Sequence, residues 1–235
     1  MNIKLIAVTV VILGALIGLG ALSGGNDSSS DGTSNSQVSG SQHSQGVSEK
    51  NVVLTEAIDF ECPACAQFHP IVDQIKEEYK DRVVFEVKHY PITGIHPNAL
   101  AAHRAAEAVS KQSADGFWSL HDTLFESRNL WISSTTEDPR PVIDGFVEAL
   151  GIDMDQYRTD FISSEVNDII NADREKMTEL GAEGTPSFFL NNVRVLNNEL
   201  DSLDEFRAVL DEALGETSTE QTDESAESAN TDTES

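Results

Sequence analysis

The chain is poor in cysteine, in basic residues and in aromatic rings, and the first two shortages exclude whole classes of protein. Two cysteines in 235 residues cannot staple a small disulfide scaffold or fill a four-cysteine zinc or iron–sulfur site. Fifteen Lys and Arg stand against 41 Asp and Glu, giving a formal net charge of -26 and a pI near 4.3. A surface that grips phosphate needs clustered cations, so nucleic acid and anionic membrane surfaces are poor electrostatic partners. The acidity is not confined to one end: residues 50–214 carry 31 acidic and 14 basic residues.

What is present is unevenly spread. Residues 5–22 form an uncharged apolar run of 18 residues preceded by Lys4, roughly 27 Å long as a helix and close to the thickness of a bilayer core. It reads as a membrane anchor or signal segment. With no Lys or Arg between it and Lys50, everything after residue 22 is expected on the extracytoplasmic side. Ala21-Leu22-Ser23 offers a cleavage site, which would make the protein secreted instead. No cysteine follows the run, so lipid attachment there is excluded.

Residues 23–49 include 15 Ser or Gly among 27 and no aromatic residue, the composition of a flexible linker with a reach of roughly 30 Å. Residues 215–235 carry seven acidic and no basic residues and read as a solvated, disordered tail. Residues 50–214 remain as one folded domain.

Within that domain, 52–58 reads as a strand. Phe68, Ile71, Val72, Ile75 and Tyr79 then mark one face of a helix starting near Cys62, with Pro63 suited to its first turn and Pro70 inside it. A second strand over 82–90 stops at Pro91, and helical periodicity fills about 92–180. Ser187-Phe188-Phe189-Leu190 and Val193-Arg194-Val195 around Asn191-Asn192 read as a hairpin, and Ser202 with Glu205 forms a capping box for a last helix. The expected order is β-α-β, a helical block, then β-β-α: an α/β fold.

Cys62-Pro63-Ala64-Cys65 is the sharpest feature. At a helix N-terminus, unpaired N–H groups and the helix dipole favour a thiolate at Cys62, and Cys65 lies one turn further in. Glu61 opposes this slightly. A different chemistry is open to the same residues: Cys62, Cys65 and His69 have C-x2-C-x3-H spacing, and His89 or His96 could complete a metal site. His96 and His103, seven apart, suggest one helix face.

Phe60-Glu61-Cys62-Pro63-Ala64-Cys65 after a strand, Pro70 five residues beyond, a helical insertion, and Gly184-Thr185-Pro186-Ser187-Phe188-Phe189 before the last hairpin together resemble the DsbA-like branch of the thioredoxin superfamily. The resemblance spans nearly all of 50–214. It implies a thioredoxin fold with an inserted helical domain and a thiol:disulfide oxidoreductase, most simply a dithiol oxidase acting on thiols and disulfides of exported proteins. A reductase, an isomerase or a redox-inactive chaperone would share the fold. It further implies that Cys62 is the exposed nucleophile, Cys65 the buried resolving thiol and Pro186 the cis-proline, preceded by Thr185. Glu56 would relay a proton to Cys65, with Lys88 as its charge partner. No organic cofactor or resident metal is implied, and a membrane redox partner would reset the pair. Ala64 stands where the strongest oxidases of the family carry a histidine, a departure that argues against the most oxidising potentials.

Overall fold

The computed structural model describes residues 39–132, 138–195, 200 and 202–216. The apolar run at 5–22 and the acidic tail beyond residue 216 lie outside the described residues. No described helix is long and apolar enough to cross a membrane.

The elements in chain order are β1 (His43–Gln45), β2 (Val53–Ile58), α1 (Pro63–Tyr79), β3 (Val84–His89), α2 (Ala99–Ser110), α3 (Ala114–Glu126), α4 (Arg128–Trp131), α5 (Arg140–Ala149), α6 (Met154–Phe161), α7 (Ser164–Glu179), β4 (Ser187–Leu190), β5 (Val193–Val195) and α8 (Leu203–Leu214). The strands form one mixed sheet in the order β1-β3-β2-β4-β5. Strand β2 runs parallel to β3, with Glu56 beside Val87, and antiparallel to β4, with Glu56 beside Phe188. This is the expected α/β arrangement, with six helices among the described residues between β3 and β4.

Local chemistry explains the last hairpin. Asn191 and Asn192 both take positive φ, 50° and 66°, the pair of left-handed residues that matches a two-residue turn to the twist of its strands. Ser202 accepts a hydrogen bond from the Glu205 N–H at 3.3 Å and so caps α8. Among the described residues, two large apolar cores result, with a smaller cluster of Ala57, Met177, Ala182 and Phe189 beside them. Ile75, Tyr79, Phe188, Phe206 and Leu210 fill the space between the sheet, α1 and α8. Phe60, Phe117, Leu120, Leu124 and Trp131 fill the other, beneath the inserted helices and reaching both cysteines.

One boundary read from the sequence is corrected. Residues 39–49, placed in the flexible linker, belong to the folded domain: β1 pairs antiparallel with β3, His43 opposite Val87. Three contacts hold it there. The Ser41 N–H donates to Asp173 Oδ1 at 2.9 Å, the His43 ring stacks on Phe117 with centroids 3.5 Å apart, and His43 Nε2 meets Glu107 Oε2 at 2.7 Å. Glycine is required at both ends of this segment. A Cβ on Gly40 would lie 2.2 Å from Asp173 Oδ1, and Gly46, at φ 83°, would put one 2.3 Å from the Val83 carbonyl oxygen. Low hydrophobicity concealed the strand because its anchors are polar.

Candidate active site

The loop that delivers the chain from β2 into α1 is shaped by Asp59. Its Oδ1 accepts the Glu61 N–H at 2.8 Å, its Oδ2 accepts the Ile92 N–H at 2.8 Å and meets His96 Nδ1 at 2.8 Å. The Asp59 carbonyl takes the Cys62 N–H at 3.0 Å. Arg128 of α4 donates from Nε to the Glu61 carbonyl at 3.0 Å, and the Glu61 carboxylate accepts the Asn98 N–H at 2.6 Å. Asp59 together with Asn98 and Arg128 of the inserted domain thus fixes Glu61 and Cys62, so Cys62 is held at the N-cap of α1.

Across from it, the Thr185–Pro186 peptide is cis, as expected for that proline. The Cys62 thiol donates to the Thr185 carbonyl oxygen at 3.3 Å. The Thr185 Oγ1 is buried with no hydrogen-bond partner among the described residues. Both cysteines are thiols in this structure. Cys62 is less exposed than the sequence implied, at 6% against 1% for Cys65. The expected exposed nucleophile is a narrow window of sulfur, because the Thr185–Pro186 loop lies against it.

The two thiols are driven apart electrostatically. Cys62 is lowered to about 5, first by the hydrogen bond from Cys65, then by the Thr185 side chain and the N–H groups of Cys65 and Ala64, against the cost of burial. Cys65 is raised well above the ordinary thiol range, first by burial, then by its hydrogen bond to Cys62 and the charge of Glu56. No acidic residue lies in the first turn of α1, so within the helix nothing offsets the pull of its N-terminus on the thiolate.

Glu56 lies in the sheet beneath this pair and faces a small enclosed cavity that it shares with Lys76, Trp118 and His121. Burial pushes its carboxyl up to about 8, and the Lys76 ammonium is the main force opposing that rise. The expected charge partner, Lys88, is elsewhere. It stands beside Ala57 in the β2–β3 register while Glu56 stands beside Val87, and side chains one residue apart on a strand point to opposite faces. Lys88 instead binds Glu86 at 3.2 Å and approaches Asp173 at 3.9 Å. Lys76 escaped the sequence reading, although Cys65, His69, Val72 and Lys76 fall at i, i+4, i+7 and i+11 on one face of α1.

The C-x2-C-x3-H metal site does not form. Among the described residues, no cluster of three potential ligands includes a cysteine. His69 turns to Asp73 at 3.3 Å, His89 to Glu107 and His103 at 3.0 and 2.7 Å, and His96 to Asp59. His96 and His103 therefore serve different partners. Asp59 and Arg128, which shape the loop, carry no sequence signal of that role.

Residues 38–212 match the family model described as Thioredoxin. The chain belongs to the thioredoxin family. Among its relatives is a probable disulfide bond formation protein D of Bacillus anthracis, 30% identical over 170 residues, covering 69% of this chain and 75% of that protein. A Na(+)/H(+) antiporter NhaA 3 of Salinispora tropica is 33% identical over 153 residues, 65% of this chain, and the match spans only 22% of the antiporter's length. The crystal structure of Wolbachia pipientis alpha-DsbA1 superposes with a TM-score of 0.63 at 18% identity, over 74% of this chain and 90% of that one. The fold is therefore DsbA-like.

Proposed function

We propose that the chain is a thiol:disulfide oxidoreductase working as an extracytoplasmic dithiol oxidase on exported proteins. The observation that carries this reading is the split between the thiols, with Cys62 near 5 and Cys65 raised. A pair whose dithiol form contains a stabilised thiolate gives up its disulfide readily and so acts as an oxidant. The Cys65 thiol, the Thr185 side chain and two backbone N–H groups do here what a histidine at position 64 does in the strongest oxidases. The relative named as a disulfide bond formation protein supports the same direction.

In the oxidised enzyme, a substrate thiolate lying along the Thr185–Pro186 loop attacks Cys62 Sγ. The Cys62–Cys65 bond breaks, and Cys65 leaves with the electron pair and takes the proton of the Glu56 carboxyl, which is protonated at neutral pH. A second substrate thiolate attacks the substrate sulfur of the mixed disulfide, releasing Cys62 as a thiolate. Two electrons have then passed from the substrate dithiol to the enzyme, and a quinone-coupled membrane partner accepts them. No organic cofactor takes part. Residues 5–22 anchor the domain on the outer face of the membrane, where disulfides persist.

The test is the reduction potential measured against glutathione, together with oxidation of a reduced, unfolded disulfide protein. A potential above about -200 mV with rapid substrate oxidation, lost in Cys62→Ser, supports the oxidase. A potential near about -270 mV would place the protein among the reductases, and disulfide shuffling without net oxidation among the isomerases.

A further inference from the structure

Among the described residues, two clusters of potential metal ligands lie outside the thiol site: His43, His89 and Glu107, and His69, His121 and Asp122. They differ in one decisive respect. In the first, both histidines already donate to one carboxylate oxygen, at 2.7 and 3.0 Å, and are satisfied by it. Ligands around a tetrahedral ion with bonds of about 2.0–2.2 Å stand roughly 3.4 Å apart, so those contacts are hydrogen bonds with no room for an ion.

The second cluster is open. Among the described residues His69 Nε2 is buried with no hydrogen bond, yet it is aimed between two carboxylates, 3.3 Å from Asp73 Oδ2 and 4.0 Å from Asp122 Oδ1. His121 Nδ1 lies 2.8 Å from the same Asp122 oxygen. The 3.3 and 4.0 Å spacings at His69 Nε2 suit a tetrahedral site, whereas the 2.8 Å contact is a hydrogen bond that an ion would have to displace. What sets this cluster apart is that the Nε2 atoms of both His69 and His121 are buried with no hydrogen-bond partner among the described residues. His69 and Asp73 are i and i+4 on α1, so they share a face, and His121 and Asp122 come from α3. The imidazoles are buried, while the Asp73 and Asp122 side chains keep 37% and 43% of their exposure, leaving an entry path from solvent. Lys76 binds the other oxygen of Asp73 at 2.6 Å. It orients that carboxylate and still leaves the site one negative charge in excess.

We propose that His69, Asp73, His121 and Asp122 form a site for a single divalent transition-metal ion of the zinc class, tying the helix that carries Cys62 and Cys65 to the inserted helical domain. Two imidazoles with two carboxylates suit Zn²⁺ and exclude a Ca²⁺ or Mg²⁺ preference, since those ions take oxygen ligands.

The experiment uses the full chain carrying Cys62→Ser and Cys65→Ser, so that thiolates cannot bind the ion. Calorimetry with Zn²⁺ should give one ion per chain. Co²⁺ should give tetrahedral ligand-field absorption without a thiolate charge-transfer band. Losing a ligand costs at least as much as losing a group that supports one, so His69→Gln and Asp122→Asn should each weaken Zn²⁺ binding about 10- to 100-fold and abolish the rise in Tm that Zn²⁺ gives the parent. Asp122 is half-exposed, so its variant tests the site even if His69→Gln folds poorly. Absence of Zn²⁺ binding at equimolar ion, or binding unchanged by Asp122→Asn, overturns the proposal. The outcome is independent of the redox reading, which the thiol-free protein does not report.

Discussion

The Cys62 sulfur and the Thr185 carbonyl oxygen lie 3.3 Å apart, joining the start of α1 to the cis-proline loop that precedes β4. The Thr185 side chain is also among the groups that favour the Cys62 thiolate, and its hydroxyl oxygen is buried with no hydrogen-bond partner among the described residues. A thiolate at Cys62 can no longer donate to the carbonyl and can only accept, which is the role a threonine hydroxyl can answer.

Alkylation of Cys62 by iodoacetamide should show a midpoint near pH 5. Thr185→Val removes a hydrogen bond to a charged sulfur, worth about 1.5–3 kcal/mol, and should lower the acid ionisation constant of Cys62 by about tenfold or more. A midpoint unmoved in Thr185→Val would show that the hydroxyl plays no electrostatic part.

Glu56 is protonated in the folded protein up to about pH 8 but ionises at its ordinary 4.5 in the unfolded chain. A raised carboxyl contributes stability that is full below 4.5 and lost as pH rises toward 8. Glu56→Gln should therefore be more stable than the parent at pH 7, by on the order of 3 kcal/mol, with the difference closing below pH 4.5. Urea unfolding at the two pH values measures it. The same variant should slow release of Cys65, and Lys76→Met should raise the Glu56 pKa further while Lys88→Met leaves it in place.

A chain beginning at Lys50 would lack β1 and leave Glu107 and Asp173 without the partners that His43 and Ser41 provide. Hydrogen bonds to buried charged groups are worth about 1.5–3 kcal/mol each. Such a chain should be less stable than one beginning at residue 38 by on the order of 3 kcal/mol or more. Equal denaturation midpoints for the two would refute the assignment of β1 to the domain.

Burial lowers the pKa of His43, His103 and His121, that of His121 to about 4. These rings stay neutral in the folded protein while the unfolded chain takes up protons at the ordinary 6.5. Stability is thus full above pH 6.5 and lost as pH falls toward 4. In chelator-treated protein, His121→Gln should flatten this loss by roughly 3 kcal/mol between those limits. A stability curve as steep in His121→Gln as in the parent would assign the acid sensitivity elsewhere.

The elements that could be read in the sequence are those with local causes. The Asn191-Asn192 turn, the Ser202 cap and the helix start at Pro63 each depend on a few neighbouring residues, and the CPAC pair announces its chemistry by composition and placement alone. The Thr185-Pro186 loop was visible only through its likeness to the family. Strand β1 was not legible because a three-residue edge strand with only its first residue, His43, buried has no hydrophobic signature.

The fold class and the position of the thiol pair follow from the order of residues alone, since periodicity, turn residues and the two cysteines are one-dimensional facts. Which charges meet was settled by folding. Strand register turned Lys88 away from Glu56 and left Lys76 of α1 to face it, a relation fixed by a one-residue parity between strands. Packing of α3 against α1 likewise brought His121 and Asp122 to His69, more than 50 residues distant in the chain. Electrostatic partnership depends on distances of a few ångströms across elements, and those distances exist only once the chain has folded.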